Sequence, residues 1–216
     1  KDEEIDKAAE LINAAERPLI ISGHGVMIAE AEKELAELAE KADIPVATTL
    51  LGLSTIPTSH PLNKGMLGMH GNVAPNMATN RCDLLIAVGM RFDDRVTGDV
   101  NEFAKQSKVL HIDIDESEFN KNVKVDATVL GDAKTVLGKL LPKVNKTLHT
   151  EWLASFVDDE QLEQEKVIEK EVYPECGELK MGEVVHKVSQ VAGENAVLVT
   201  DVGQNQMMSS RYFQYY

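Results

Sequence analysis

Short apolar runs alternating with helical patterns leave this chain few folds to choose from. PLIIS (18–22), IPVATT (44–49) and 84–88 are too continuous in apolar residues to be half-exposed strands, and 109–114 and roughly 124–130 follow as a fourth and a fifth strand. Around them, apolar residues recur at helical spacing: Ile5, Ala8, Ala9, Ile12 and Ala15, then Ala31, Leu35, Leu38 and Ala39, then Val136, Leu137, Leu140 and Leu141 before Pro142. Strands buried on both faces and separated by helices read as an α/β fold, a doubly wound, Rossmann-like parallel sheet. Right-handed crossovers then bring every strand's carboxyl end to one edge.

That edge is rich in ligand chemistry. The strands run into Gly23-His24-Gly25, Thr49-Leu50-Leu51-Gly52, Gly89-Met90-Arg91, Asp113-Ile114-Asp115 and Gly131-Asp132. Open α/β sheets bind ligands outside these ends. Glycine admits close backbone approach, arginine offers planar donors to phosphate, and a carboxylate accepts from ribose hydroxyls. The densest stretch is 65–98, where the loop GMLGMHG precedes the 84–88 strand and a turn carrying Arg91, Asp93, Asp94 and Arg95. An extended cofactor with phosphate and ribose groups is expected there. A nicotinamide site is not, because a third fingerprint glycine would fall on Ile28 and the acidic residue on Asp43, before its strand. His111, Asp113 and Asp115 alternate along one strand face, but with no further His or Cys nearby they read as ribose acceptors and not as a metal cluster. His70, alone in the loop, is ambiguous between a structural and a binding role. Residues 51–75 show little regular pattern, and a loop of about 25 residues in a compact domain is usually functional.

A net charge of −14 over 216 residues excludes nucleic acid and anionic membrane as partners, since neutralising phosphates needs a basic face. No apolar run approaches spanning length, and no secretory signal is present. Cys82 and Cys176 show neither metal-ligand spacing nor a disulfide framework, so they read as inert thiols in a reducing cytoplasm. The chain opens inside a helical pattern without an initiator Met, so an upstream part is expected.

Beyond Pro142 the texture changes. Residues 149–171 are acidic and helical, with Trp152, Phe156 and Val157 as candidate anchors and the run around 158–171 as a solvated face. EVYPECGELK (171–180) reads as a connection. A helix follows, with Met181, Val184, Val185, Val188 and Val191 on one face, and AVLVTDVGQNQM (196–207) reads as a strand entering a Gly-bearing loop. One helix and one strand bury no core alone. The expected organisation is a central domain over 1–148, an acidic linker over 149–180, and the truncated start of a second α/β domain over 181–216.

GMLGMHG (65–71), GMRFDDRVTG (89–98), HIDID (111–115), LGD (130–132) and TDVGQNQM (200–207) together resemble the catalytic large subunit of the acetohydroxyacid (acetolactate) synthase family, which depends on thiamine diphosphate. The resemblance runs from about residue 5 to 216. It implies a three-domain enzyme whose middle domain binds FAD without consuming it. Carried over residue by residue, the implied FAD contacts are Gly23, Gly25, Thr49, Leu50, Leu67, Gly68, Met69, His70, Gly89, Arg91, Asp93, Arg95, Val96, Asp113, Ile114, Gly131 and Asp132. Asp94 and Arg95 match positions lining the substrate channel. Val202, Gly203, Gln204 and Asn205 match the loop that holds thiamine diphosphate, though Asn205 stands where the family often has His and Met208 where Trp is common. The family's activating glutamate and its magnesium-binding motif have no counterpart in these residues, so no catalytic residue and no metal ligand is assigned here. The resemblance implies condensation of two 2-oxo acids, one of them pyruvate, with loss of carbon dioxide, in branched-chain amino-acid biosynthesis. It also implies Mg²⁺ with the thiamine group, a homo-oligomer and a possible regulatory small subunit. This chain alone is then expected to bind FAD and be inactive. Two alternatives remain: a flavin-dependent 2-oxo acid oxidase or decarboxylase of the same superfamily, and a non-catalytic nucleotide-binding domain.

Overall fold

The computed structural model describes residues 2–175 and 177–216; Cys176, read above as an inert thiol, lies outside them. Among the described residues, six parallel strands form one sheet: β1 (Pro18–Ser22), β2 (Val46–Thr48), β3 (Asn63–Met66), β4 (Leu84–Val88), β5 (Lys108–Asp113) and β6 (Ala127–Leu130). Their spatial order is β3-β2-β1-β4-β5-β6, the doubly wound arrangement in which the strand order reverses between β1 and β4. The α/β expectation holds.

Because side chains alternate along a strand, each central strand feeds two cores. Ile20, Val46, Ile86, Val88, Leu110 and Ile112 face one side. They are covered by α1 (Asp2–Ala14), α3 (Glu32–Ala42), which follows the short α2 (His24–Ile28), and, past α4 (Val73–Thr79) and α5 (Asp94–Thr97), by α6 (Ala133–Leu140). The stripes named from the sequence, Ile5-Ala8-Ala9-Ile12 and Leu35-Leu38-Ala39, are the buried ones. Leu19, Ile21, Ala47, Leu85, Ala87 and Val109 face the other side, against Ala74 and Ala78 of α4, Phe92, Trp152 and Phe156.

Several expectations need correction. The patternless stretch 51–75 contains β3, which pairs with the edge of β2, and the start of α4. Its strand was illegible because Asn63, Lys64 and Gly65 are only half-buried at the sheet edge, so no apolar run marks it. The last strand begins at Ala127, not Lys124. The acidic stretch folds as α7 (Thr150–Ala154), α8 (Val157–Glu163), a π-helical turn over Gln164–Ile168 and α9 (Glu169–Val172). Trp152 and Phe156 anchor it as expected, but Val157 is 53% exposed. Nor is its acidic face merely solvated: Asp159 pairs with Arg81, Glu160 with Lys64 and Glu163 with Arg211. After it come α10 (Met181–Ala192) and α11 (Gln204–Tyr212). Residues 196–200 form no strand, and Val197, Val199 and Val202 are almost fully exposed. A β-run needs a neighbouring strand to take its backbone hydrogen bonds, and none lies beside this one among the described residues.

Candidate functional site at the carboxyl edge of the sheet

The carboxyl ends of the strands are laced side by side by backbone hydrogen bonds. The first amide past one strand donates to a carbonyl at or next to the end of its neighbour: Leu67 to Thr48, Thr49 to Ser22, Gly23 to Val88, Gly89 to Ile112 and Gly131 to Asp113, all at 2.9–3.0 Å. This lacing sets the loops at one height along the edge. Gly89 then turns with φ +59°, its Cα so near Gly25 that a Cβ added at Gly25 would lie 2.7 Å from it. Only a backbone without side chains fits both places.

Two of the cavities along this edge share wall residues. The larger, about 460 Å³, is lined by His24, Thr49, Leu50, Leu51, Gly89, Met90, Arg91, Asp93, Arg95, Val96, Asp113, Asp115 and Glu118. The smaller, about 220 Å³, is lined by Gly25, Ile28, Gly89, Asp113, Ile114, Gly131 and Asp132 among others. Gly89 and Asp113 are common to both, so together they trace one elongated groove across the strand-order reversal. Leu50, Leu51, Met69 and Ile114 leave 39–72% of their surface exposed around it. Such apolar exposure marks a surface that something covers.

The charges of the groove are ordered locally. Asp93 caps α5 by accepting from the Arg95 amide at 3.0 Å, and that bond, with Arg91 at 3.1 Å, holds its carboxyl below the ordinary carboxylate range. Arg91 and Arg95 keep about 70% of their side-chain surface in solvent, free to turn toward an anion. Asp94 is 4.0 Å from Arg95 and also exposed at the mouth. Asp113 accepts from the Asp115 amide at 2.9 Å. His111 is fully buried, wedged between Phe92 and Phe119, and its Nε2 donates to the Met90 carbonyl at 2.8 Å. It supports the groove's floor and takes no part in its surface.

Of the residues named from the sequence, Gly25, Thr49, Leu50, Gly89, Arg91, Asp93, Arg95, Val96, Asp113, Ile114, Gly131 and Asp132 line the groove. Gly68 reaches its wall through backbone: it turns with φ +103°, and Met69 donates from its amide to the Arg95 carbonyl at 2.8 Å. Met69 and His70 are exposed beside it. Leu67 is buried in the core and Gly23 packs against Gly89 and Met90, and neither lines these cavities. Val202, Gly203, Gln204 and Asn205 sit at the start of α11 and line neither cavity. His24, Leu51, Met90 and Asp115, named from the sequence with the strand ends but not among the implied FAD contacts, also line the wall; Glu118, which no strand end or motif marked, is the wall residue that sequence reading missed.

Residues 5–140 match the family model described as thiamine pyrophosphate enzyme, central domain. The chain is 42% identical to the probable acetolactate synthase large subunit of Methanocaldococcus jannaschii, over 97% of this chain and 36% of that protein. It is 42% identical to the acetolactate synthase large subunit of Corynebacterium glutamicum, over 97% of this chain and 34% of that one. It is 39% identical to the acetolactate synthase isozyme 1 large subunit of Escherichia coli K12, over 98% and 36%. The chain thus spans little more than a third of the length of the curated relatives it matches.

Proposed function

The chain belongs to the thiamine pyrophosphate enzyme family through its central domain, and from that membership we propose that it is the middle portion of an acetolactate synthase large subunit. The whole protein joins two 2-oxo acids, pyruvate with pyruvate or with 2-oxobutanoate, with loss of carbon dioxide. It works in the cytoplasm as a homo-oligomer, with a regulatory small subunit as a possible partner. Residues 1–148 are its FAD-binding domain, 149–180 the acidic linker and 181–216 the start of its thiamine-binding domain. The groove at the carboxyl edge carries the reading: the FAD contacts implied by family resemblance fall mostly on its walls.

The groove's residues suit a flavin dinucleotide. Arg91 and Arg95 would hold its pyrophosphate, which a chain of charge −14 cannot attract at long range. Asp113 would accept from ribose, and Ile114, Leu50 and the Gly68–Met69 backbone would supply apolar and backbone surface to its rings. Asp94 and Arg95 open onto the substrate channel. Gly203, Gln204 and Asn205, at the amino end of α11, would offer backbone amides to the thiamine diphosphate anion. Thiamine supplies the ylid chemistry when bound, and the residues here bind, orient and shield. No observation favours a redox-active flavin over this reading.

The test is titration of the purified chain with FAD, followed by flavin fluorescence, with NAD as comparator. Saturable FAD binding without NAD binding, weakened roughly ten-fold or more in Arg91→Ala, is the expected result. The chain alone forms no acetolactate from pyruvate. NAD binding in place of FAD overturns the cofactor assignment, and acetolactate formation overturns the division of labour.

A further inference from the structure

The Gly-rich loop beside the groove is gripped from behind by a buried ion pair that belongs to no motif. Glu163, at the end of α8, keeps only 7% of its side-chain surface exposed, and Arg211 of α11 keeps 20%. The Glu163 carboxylate accepts three hydrogen bonds, each 2.7 Å: from Asn72 Nδ2, from the Val73 amide at the start of α4, and from Arg211 Nη2. The same Arg211 nitrogen donates to the Gly71 carbonyl at 3.2 Å. Asn72 passes the grip on, since its Oδ1 accepts from the Met66 amide at 2.9 Å and its own amide donates to the Met66 carbonyl at 2.6 Å. On the groove side, the loop is held by the Met69–Arg95 backbone bond and by Asn76, which bonds both polar groups of Gly68.

Those contacts clamp residues 66–73 at both ends, with the exposed Met69 and His70 between them. We propose that Glu163 and Arg211 are positioning residues for the cofactor: they hold the loop in the shape that lets its backbone lie against a flat flavin ring. The proposal rests on the flavin reading of the groove. Its geometry also explains why an acidic segment outside the sheet folds back onto it. Arg211 lies on the helix that starts at Gln204, so one ion pair joins the loop beside the groove to the segment assigned to thiamine diphosphate. Glu163→Gln keeps the side chain's shape but turns an amide donor toward groups that are all donors, so the clamp opens. Neighbouring Glu160, paired with Lys64 at 2.9 Å, is the control.

The experiment compares wild type, Glu163→Gln, Glu160→Gln and the double variant Glu163→Leu/Arg211→Met by amide hydrogen exchange and FAD titration. The double variant removes both charges together, which spares the fold the cost of one buried charge left alone. In Glu163→Gln the amides of residues 66–73 exchange about ten-fold faster, those of β4 stay protected, and FAD affinity falls about ten-fold, the equivalent of one charge-assisted hydrogen bond. Glu160→Gln changes neither. The double variant, which leaves the Val73 amide and Asn72 Nδ2 without an acceptor but no charge unpaired, recovers part of the thermal stability without regaining FAD affinity or loop protection. If affinity returns with stability, or loop exchange is unchanged in Glu163→Gln, the positioning role is overturned. If wild type takes up no FAD, the flavin reading fails by itself, and the exchange data still decide whether the pair holds the loop.

Discussion

At the scale of single residues, the groove is shaped by side chains that are absent as much as by those present. Gly89 is bound by two constraints at once, a left-handed φ and the backbone of Gly25 against it, so its glycine is required by the fold before any ligand arrives. Asp113 shows the opposite economy, a carboxylate kept ionised inside a wall. Burial pushes its carboxyl up, but the His111 ring 3.7 Å away and the Asp115 amide outweigh that and leave it below the ordinary range. A folded-state value below the unfolded one means that the ionised group stabilises the fold at neutral pH. That contribution is complete above about pH 4 and is lost as pH falls through the folded value. Asp113→Asn is therefore expected to lower stability at pH 7 and to flatten the acid limb of the stability profile, measured by urea unfolding of the ligand-free protein. An acid limb as steep as wild type's would count against it.

Elements here are decided by their ends and their neighbours. Asp132 begins α6, its Oδ1 accepting from the Thr135 amide at 2.9 Å and from the Thr135 hydroxyl at 3.0 Å. Asp132→Ala is expected to cost about 1 kcal/mol of unfolding free energy through the lost cap, and that cost is read without ligand by chemical denaturation. Asp132→Asn keeps the accepting oxygen and should recover most of it; equal losses in both variants would show that the cap is not the cause. The amphipathic helices were legible because their stripes face the sheet, as Leu35, Leu38, Leu137 and Leu140 do at 0% exposure. Helix α10 carries an equally clear stripe, yet Val188 is 52% and Val191 90% exposed, so periodicity announces a helix without saying what covers it. The 196–200 run failed as a strand for the same reason: β-structure is completed by a partner, and helix is completed by its own backbone.

Across the whole molecule, the second face of the sheet is closed by a segment distant in sequence. Trp152 is 5% exposed, stacks edge-on to Phe156 at 4.9 Å and donates from Nε1 to the Pro18 carbonyl at 2.8 Å, so the acidic helices are fastened to the first strand. Trp152→Phe keeps most of the apolar contact but leaves that buried carbonyl unpaired, an expected loss of about 1–3 kcal/mol in urea unfolding followed by ellipticity. A change near zero would show that the fastening bond contributes nothing. The parallel sheet, its helices and the edge on which ligand chemistry gathers were determined by sequence alone, because continuous apolar runs and helical stripes are local records of burial on both faces. Family motifs likewise singled out the groove residues before their geometry was known. Tertiary structure alone decided that 63–66 becomes an edge strand, that Leu67 is buried in the core, and that Glu163 and Arg211 meet behind the Gly-rich loop. Each of these depends on partners far along the chain, and a polar residue carries no local mark of the neighbour that will satisfy it.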